Sequence, residues 1–247
     1  LALAEVLRGV PGVADVQTTV EQVVRVEMAG LADPIIGQLI GVDLRQPPRM
    51  NRVIVHTGRA LEPAGTGQGR SEAAIDALVS DGFASARGLR PGDELTALVN
   101  GKRRQLRIVG TALSPEFIFA GMAGMPDMRG FGVFWVDREV LAAAYDMQGA
   151  FNRVAIKLAP QASEPAALDA LSRLLAPYGG RDAHGRADQT SHAMLDSEIQ
   201  QQRVMGTMLP AIFLAVAAFL LHVVLSRLVA TQREQIAALK ALGYANA

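Results

Sequence analysis

The run MLPAIFLAVAAFLLHVVLS, Met208 to Ser226, contains no Lys, Arg, Asp or Glu, and Arg203 and Arg227 bound it. About 20 apolar residues at roughly 1.5 Å rise each are needed to cross a hydrocarbon core of about 30 Å, and this run meets that length. The alternative is a core helix of a large soluble domain. Such helices usually carry a polar stripe, whereas this run offers only His222 in its interior. Three basic residues follow closely (Arg227, Arg233, Lys240) and one precedes closely (Arg203), which favours the C-terminal side in the cytoplasm. Residues 1–206 then lie outside the cytoplasm, a length that can bury a core of its own as one domain or two small lobes.

The 24 Lys and Arg balance the 24 Asp and Glu, so nothing points to a nucleic-acid surface. The absence of Cys excludes a disulfide framework, a zinc-thiolate site and a thiol nucleophile together. The chain opens LALAEVLRG, without an initiator Met or a signal-peptide pattern, and stops at Ala247 just after a helix. The expectation is an excerpt of a longer membrane protein.

Upstream, Leu1 to Arg8 reads as the end of a helix closed by Gly9 and Pro11. Val13 to Met28 alternates like a strand, Ile35 to Leu44 is a second apolar stretch ended by Pro47-Pro48, and Val53 to Val55 is a short third. Pro63 to Arg70, PAGTGQGR, reads as a flexible loop. Its Gly65, Gly67 and Gly69 do not form a phosphate loop, which needs a strand leading directly into the glycines and a Lys with Ser or Thr. Ser71 to Arg87 reads either as one helix or as a short strand at Ala77-Leu78-Val79 with a helix after Ser80-Asp81. Gly88 closes it either way.

Pro91-Gly92-Asp93 is a turn, and Glu94 to Val99 and Lys102 to Leu113 flank Asn100-Gly101 as a hairpin. Ser114 to Arg129 reads as a long ordered loop, either tucked over the core or offering its Met and Phe as a contact surface. Phe131 to Val136 is a strand, Asp137 caps a helix through Met147, Asn152 to Leu158 is a strand, and Ser163 caps a helix from Glu164 to Ala176. That order implies an α/β lobe with helices on one face of a sheet. Thr190 or Ser191 caps a helix of about sixteen residues that leads into the apolar run, interrupted by nothing but Gly206 and Pro210. Thr231 to Gly243 is amphipathic, with Ile236, Leu239 and Leu242 at intervals of three, and serves as an interfacial helix or as a docking surface.

No chemistry stands out. His56, His184, His192 and His222 have no metal-ligand spacing, and His192 with Asp188 and Asp196 reads as surface hydrogen bonding. Ser114-Pro115-Glu116 and Ser191-His192 place nucleophile-like and base-like residues side by side, but adjacency in sequence is not a spatial relay. His222 is either a functional intramembrane group or one that reaches the headgroups. No catalytic residue, cofactor or metal is expected.

The run PAIFLAVAAFLLHVVLSRLVATQREQIAALKALGY resembles the FtsX/MacB-type ABC-transporter permeases, whose cytoplasmic segment after the helix has the form QRxQIAxLKALG. PGVADVQTTV, VSDGFASARGLRPGDEL, IVGTALSPEF, FGVFWV and GAFNRV are similar to the MacB-like periplasmic core domain of that family. PAGTGQGR followed by EAAIDA departs from the family pattern, which runs more directly into its short strand. The resemblance implies a mixed α/β periplasmic domain with a hairpin-rich second lobe, followed by a transmembrane α-helix. Residues 1–188 would be the periplasmic core domain, 189–206 the helix leading into the membrane, 207–227 the span and 228–247 the start of the FtsX-like permease domain.

It also implies a non-catalytic permease subunit in the bacterial inner membrane, with residues 1–206 periplasmic. Its partners would be a cytoplasmic ABC ATPase subunit, membrane lipid, a second permease copy or pseudo-dimeric half, and a periplasmic accessory protein. The segment matching Arg233, Gln235, Ile236, Leu239, Lys240, Leu242 and Gly243 would lie at the ATPase-coupling surface. Export, lipoprotein extraction and switching of cell-wall enzymes are all within the family's range. A membrane-anchored sensor or scaffold is the competing class, and a tethered periplasmic hydrolase a third.

Overall fold

Val20, Val24 and Val26 share one face of the first long strand and are buried in one cluster, while Val23, Arg25 and Glu27 on the other face are exposed. The computed structural model describes residues 2–28, 30, 33–63, 74–122, 125–181 and 183–243. Apart from Pro63, the Gly-rich loop lies outside them, as do Ser71 to Ala73. In chain order the elements are α1 (Ala2–Arg8), β1 (Val13–Glu27), β2 (Ile35–Val42), β3 (Ile54–Gly58), β4 (Ala74–Ser80), α2 (Asp81–Arg87), β5 (Glu94–Val99) and β6 (Lys102–Leu113). There follow β7 (Gly121–Met122), β8 (Met125–Pro126), β9 (Phe131–Asp137), α3 (Arg138–Ala144), β10 (Arg153–Leu158), α4 (Glu164–Leu175) and α5 (Thr190–Ala241). Two compact units result, residues 1–194 and 195–247.

Within the first unit, β1 pairs with β2, β2 with β9, β9 with β4, β4 with β6, β6 with β5, and β5 returns to β1. The sheet therefore closes on itself, with β3 added to β6 and β10 to the first half of β1. Closure removes edges along the ring and creates an interior. One cluster collects Val20, Leu39, Val79, Leu95, Leu106 and Phe134 from the ring strands, and α2 and α3 add Phe83 and Leu141 to it. The other face of the same strands carries Ile40, Leu78, Val133 and Trp135, covered by Val53, Val55, Leu61, Phe117 and Ala120. A strand buried on both faces reads as an unbroken apolar run, and β9, FGVFWVD, is buried at every residue. A third cluster joins α1, α4, β1 and β10 through Leu7, Val16, Leu171 and Ile156.

The mixed α/β class is what the sequence implies, and the hairpin region is continuous with the rest of the sheet because β5 bonds both β6 and β1. Asn100 and Gly101 take positive φ, 46° and 73°, as a tight hairpin turn requires. Between the two readings of Ser71 to Arg87, the strand is the one observed, longer than Ala77-Leu78-Val79 and followed directly by α2. Asp137 caps α3 by accepting from Glu139 N, but α3 stops at Ala144 rather than Met147. Asp146 at φ 55° and Gly149 at φ 74° turn the chain there, so the helix cannot run on. Ser163 stands at the start of α4 without a side-chain capping bond, and Ser114 to Arg129 folds into a 3-10 turn, Pro115–Phe117, and the small β7–β8 pair. Phe117 and Ala120 tuck against the core, as one reading of this loop expects, while Ile118, Met125 and Met128 remain exposed.

α5 is a single helix of 52 residues. Its stretch Thr190–Gln235 is long and apolar enough to cross a membrane, with a mean hydropathy of 2.6 in its most apolar window and none of that window buried. Pro210 lacks the N–H that would bond to Gly206 four residues back, yet the helix continues. Thr207, whose hydroxyl bonds to the Arg203 and Val204 carbonyls, holds the preceding turn. Thr231 likewise bonds to the Arg227 carbonyl, and Thr231 to Ala241 is the end of α5 and not a separate element.

Candidate functional site

The residues of the expected coupling surface occupy the last turns of α5 and, with Leu242 and Gly243, the turn that follows it. At about 100° per residue, Gln235, Ile236 and Leu239 share one side of the helix, and Lys240 and Arg233 lie together along its edge beside Ile236. Leu239 and Leu242 are exposed, and Gly243, at φ 89°, ends the helix with its N–H on the Lys240 carbonyl. The Ile236 side chain lies outside the described residues.

A second locus is legible only in three dimensions. Glu116, in the 3-10 turn, and Glu21, on β1, share Arg153 of β10: Arg153 is 3.0 Å from Glu21 and makes a short contact to Glu116. Asn51 donates to Glu116 at 2.8 Å and Gln38 donates to Glu21 at 2.8 Å. The group borders a cavity of about 300 Å³ lined by Gln38, Glu116, Phe131, Arg153, His184 and Ser191 among others. Two carboxylates against one guanidinium leave a net negative charge, with the glutamate side chains only 12% and 10% exposed.

Burial, reinforced by the charge of Glu21, raises the Glu116 carboxyl above its ordinary 4.5 in spite of Arg153. Burial works against the charge of Arg153, but the two glutamates outweigh it and raise its pKa, so it stays a cation. Asp76 shows the reverse stoichiometry. Its burial is overcome by Arg59 and Arg107, each 2.6 Å away, and its carboxyl is lowered. Because the folded pKa of Glu116 is raised, the folded state binds its proton more tightly, and this group's contribution to stability grows as pH falls toward 4.5. Glu116→Gln should therefore change stability at pH 7 by no more than about 1 kcal/mol, since it removes a costly charge along with one acceptor. Thermal unfolding from pH 7 down to 4.5 should show the wild type gaining stability relative to the variant; a parallel pair of curves would contradict this.

The segments Ser114-Pro115-Glu116 and Ser191-His192 do meet, but through a hydroxyl and a carbonyl. Ser191 Oγ donates to the Glu116 carbonyl at 2.8 Å and accepts from Phe119 N–H at 3.3 Å. Ser191 is thus not a helix cap, because its hydroxyl is held by the neighbouring turn. His192 is not brought to Asp196, whose carboxylate accepts from Gln200 at 3.0 Å. Elsewhere, Asp81 lies between His56 Nδ1 (2.8 Å) and Thr111 Oγ1 (3.0 Å). An acyl-transfer relay needs the imidazole between the hydroxyl and the acid, so this order cannot activate Thr111. The bond to His56 lowers the Asp81 carboxyl, as suits a structural acceptor. Among the described residues no cluster of His, Asp and Glu is arranged to hold a metal ion.

Solved structures with a similar chain path exist. The extracellular domain of the noncanonic ABC-type transporter YknZ from Gram-positive bacteria is 14% identical, over 74% of this chain and 85% of that one, with a TM-score of 0.43. The periplasmic region of MacB from Actinobacillus actinomycetemcomitans is 11% identical, over 81% of each chain, with a TM-score of 0.42. No family model and no curated protein matches the chain.

Proposed function

We propose that the chain is part of the permease subunit of an FtsX/MacB-type ABC transporter in a bacterial inner membrane. α5 crosses the bilayer, the β-rich unit lies in the periplasm, and ATP hydrolysis by a separate cytoplasmic ATPase moves that unit through the helix. The subunit works as a homodimer or a pseudo-dimer, as the sequence resemblance implies.

The observation that carries this reading is α5 itself: one unbroken helix whose apolar window is wholly unburied and whose end bears the QREQIAALKALG sequence. A core helix would bury that window. An apolar face of this length left in water would be an aggregation site, which a bilayer removes. Arg233, Gln235, Ile236, Leu239, Lys240, Leu242 and Gly243 then form the face that meets the ATPase, with Leu239 as the apolar contact.

The test is a detergent pull-down of the full-length protein with ATPase activity assayed on the eluate. A carboxylate buried at the centre of such a contact costs about 2 kcal/mol or more, so Leu239→Asp should lower recovery of the ATPase by about 30-fold. Equal recovery from wild type and variant would remove Leu239 from the interface. An eluate with no ATPase from either would favour the anchored sensor or scaffold.

A further inference from the structure

In the first turn of α5, Ser191 is hydrogen-bonded to the 3-10 turn Pro115–Phe117 and the residues after it. It is 2% exposed, and its single hydroxyl serves as donor to the Glu116 carbonyl and acceptor from the Phe119 N–H at once. It therefore holds the middle of the 3-10 turn Pro115–Phe117 and the residues just after it. Two residues of that turn are tied to different parts of the sheet. Phe117 meets Trp135 of β9 edge-on, with ring centroids 6.2 Å apart. Glu116 is bonded to Arg153 of β10 and to Asn51 in the chain after β2.

We infer that Ser191 is the positioning residue through which displacement of α5 reaches the periplasmic sheet, with the turn Pro115–Phe117 as the relay. This rests on the permease reading above and names the place where the stroke enters the domain. A hydroxyl is required, since it must give one hydrogen bond and take another in a buried site. Alanine does neither, whereas threonine does both. Tightly packed elements pass a shift on as a rigid body, so a turn pinned to β9 and β10 moves with the helix that grips it.

Hydrogen exchange on the full-length protein with its co-purified ATPase tests this, with and without a non-hydrolysable ATP analogue. In the wild type the nucleotide should change exchange in the peptide covering residues 115–120. In Ser191→Ala the ATPase should still co-purify and hydrolyse ATP, the Phe119 amide should exchange about tenfold faster without nucleotide, and the nucleotide-dependent change should vanish. Ser191→Thr should restore both. A nucleotide response retained in Ser191→Ala, or absent from Ser191→Thr when its Phe119 amide is protected as in the wild type, overturns the inference while leaving the permease reading intact. Absence of any co-purifying ATPase overturns both, and is read separately at the pull-down step.

Discussion

Phe134→Ala should be the most damaging single truncation in the sheet, lowering stability by about 4–5 kcal/mol. The ring is fully buried in the interior of the closed sheet and meets Phe83 edge-on, with centroids 5.8 Å apart. Two glycines make room for it. A Cβ at Gly132 would stand 2.7 Å from the ring, and one at Gly37 would stand 3.1 Å from it. Neither neighbour has a side chain that can relax into the void, which places the loss near the top of the range for an aromatic deletion. For a unit of this size each kcal/mol moves the midpoint by about 2–4 °C, so thermal unfolding should drop by about 8–20 °C. Gly132→Ala alone should also destabilise, by about 1–3 kcal/mol, through overpacking. Combined with Phe134→Ala, the extra methyl enters the vacated space, and the two effects should sum to less than their parts. A full additive loss would show that the ring and the glycine are not packed together.

The same residues show what the sequence can and cannot reveal. Asn100-Gly101 names a hairpin because the turn chemistry is local, and Asp137 names a helix start for the same reason. β4 was ambiguous because Ala77 and Val79 face the interior while Leu78 faces the other cluster, and an apolar run buried on both sides has no period to read. Closure of the sheet was invisible. It depends on β5 reaching β1 at Arg25 to Glu27 and on the parallel pairs β2–β9 and β4–β6, all of which join residues far apart in the chain. Asn152 belongs to the same class: its side chain bonds both the N–H and the carbonyl of Glu21, a contact that no spacing announces. The apolar run is legible because its signal is length and composition, but its continuity with Thr231 to Ala241 as one helix is not, and the position of Ser191 requires knowing what faces its hydroxyl.

Arg153→Met tests whether the charged cluster is held by its one cation. Removing a partner from a fully buried ion pair costs about 3–5 kcal/mol, chiefly because the remaining charge is left desolvated. The Arg153 side chain is 37% exposed, so solvent screens part of this and about 2–3 kcal/mol is expected at pH 7. The pH dependence distinguishes a charge effect from lost packing. Without the arginine, Glu116 loses the attraction that opposed its burial and its already raised carboxyl rises further. A carboxyl raised in the folded state makes folding more favourable as pH falls through that raised value, and the gain is complete below the ordinary 4.5. The gap between wild type and Arg153→Met should therefore be widest at pH 7 to 8 and narrow steadily toward pH 4.5. Adding Glu116→Gln to Arg153→Met should recover much of the loss at pH 7, since one buried carboxylate then remains without a like-charged neighbour. A gap that stays constant with pH would assign Arg153 a packing role through its aliphatic stem, and the cluster would then contribute nothing through its charge.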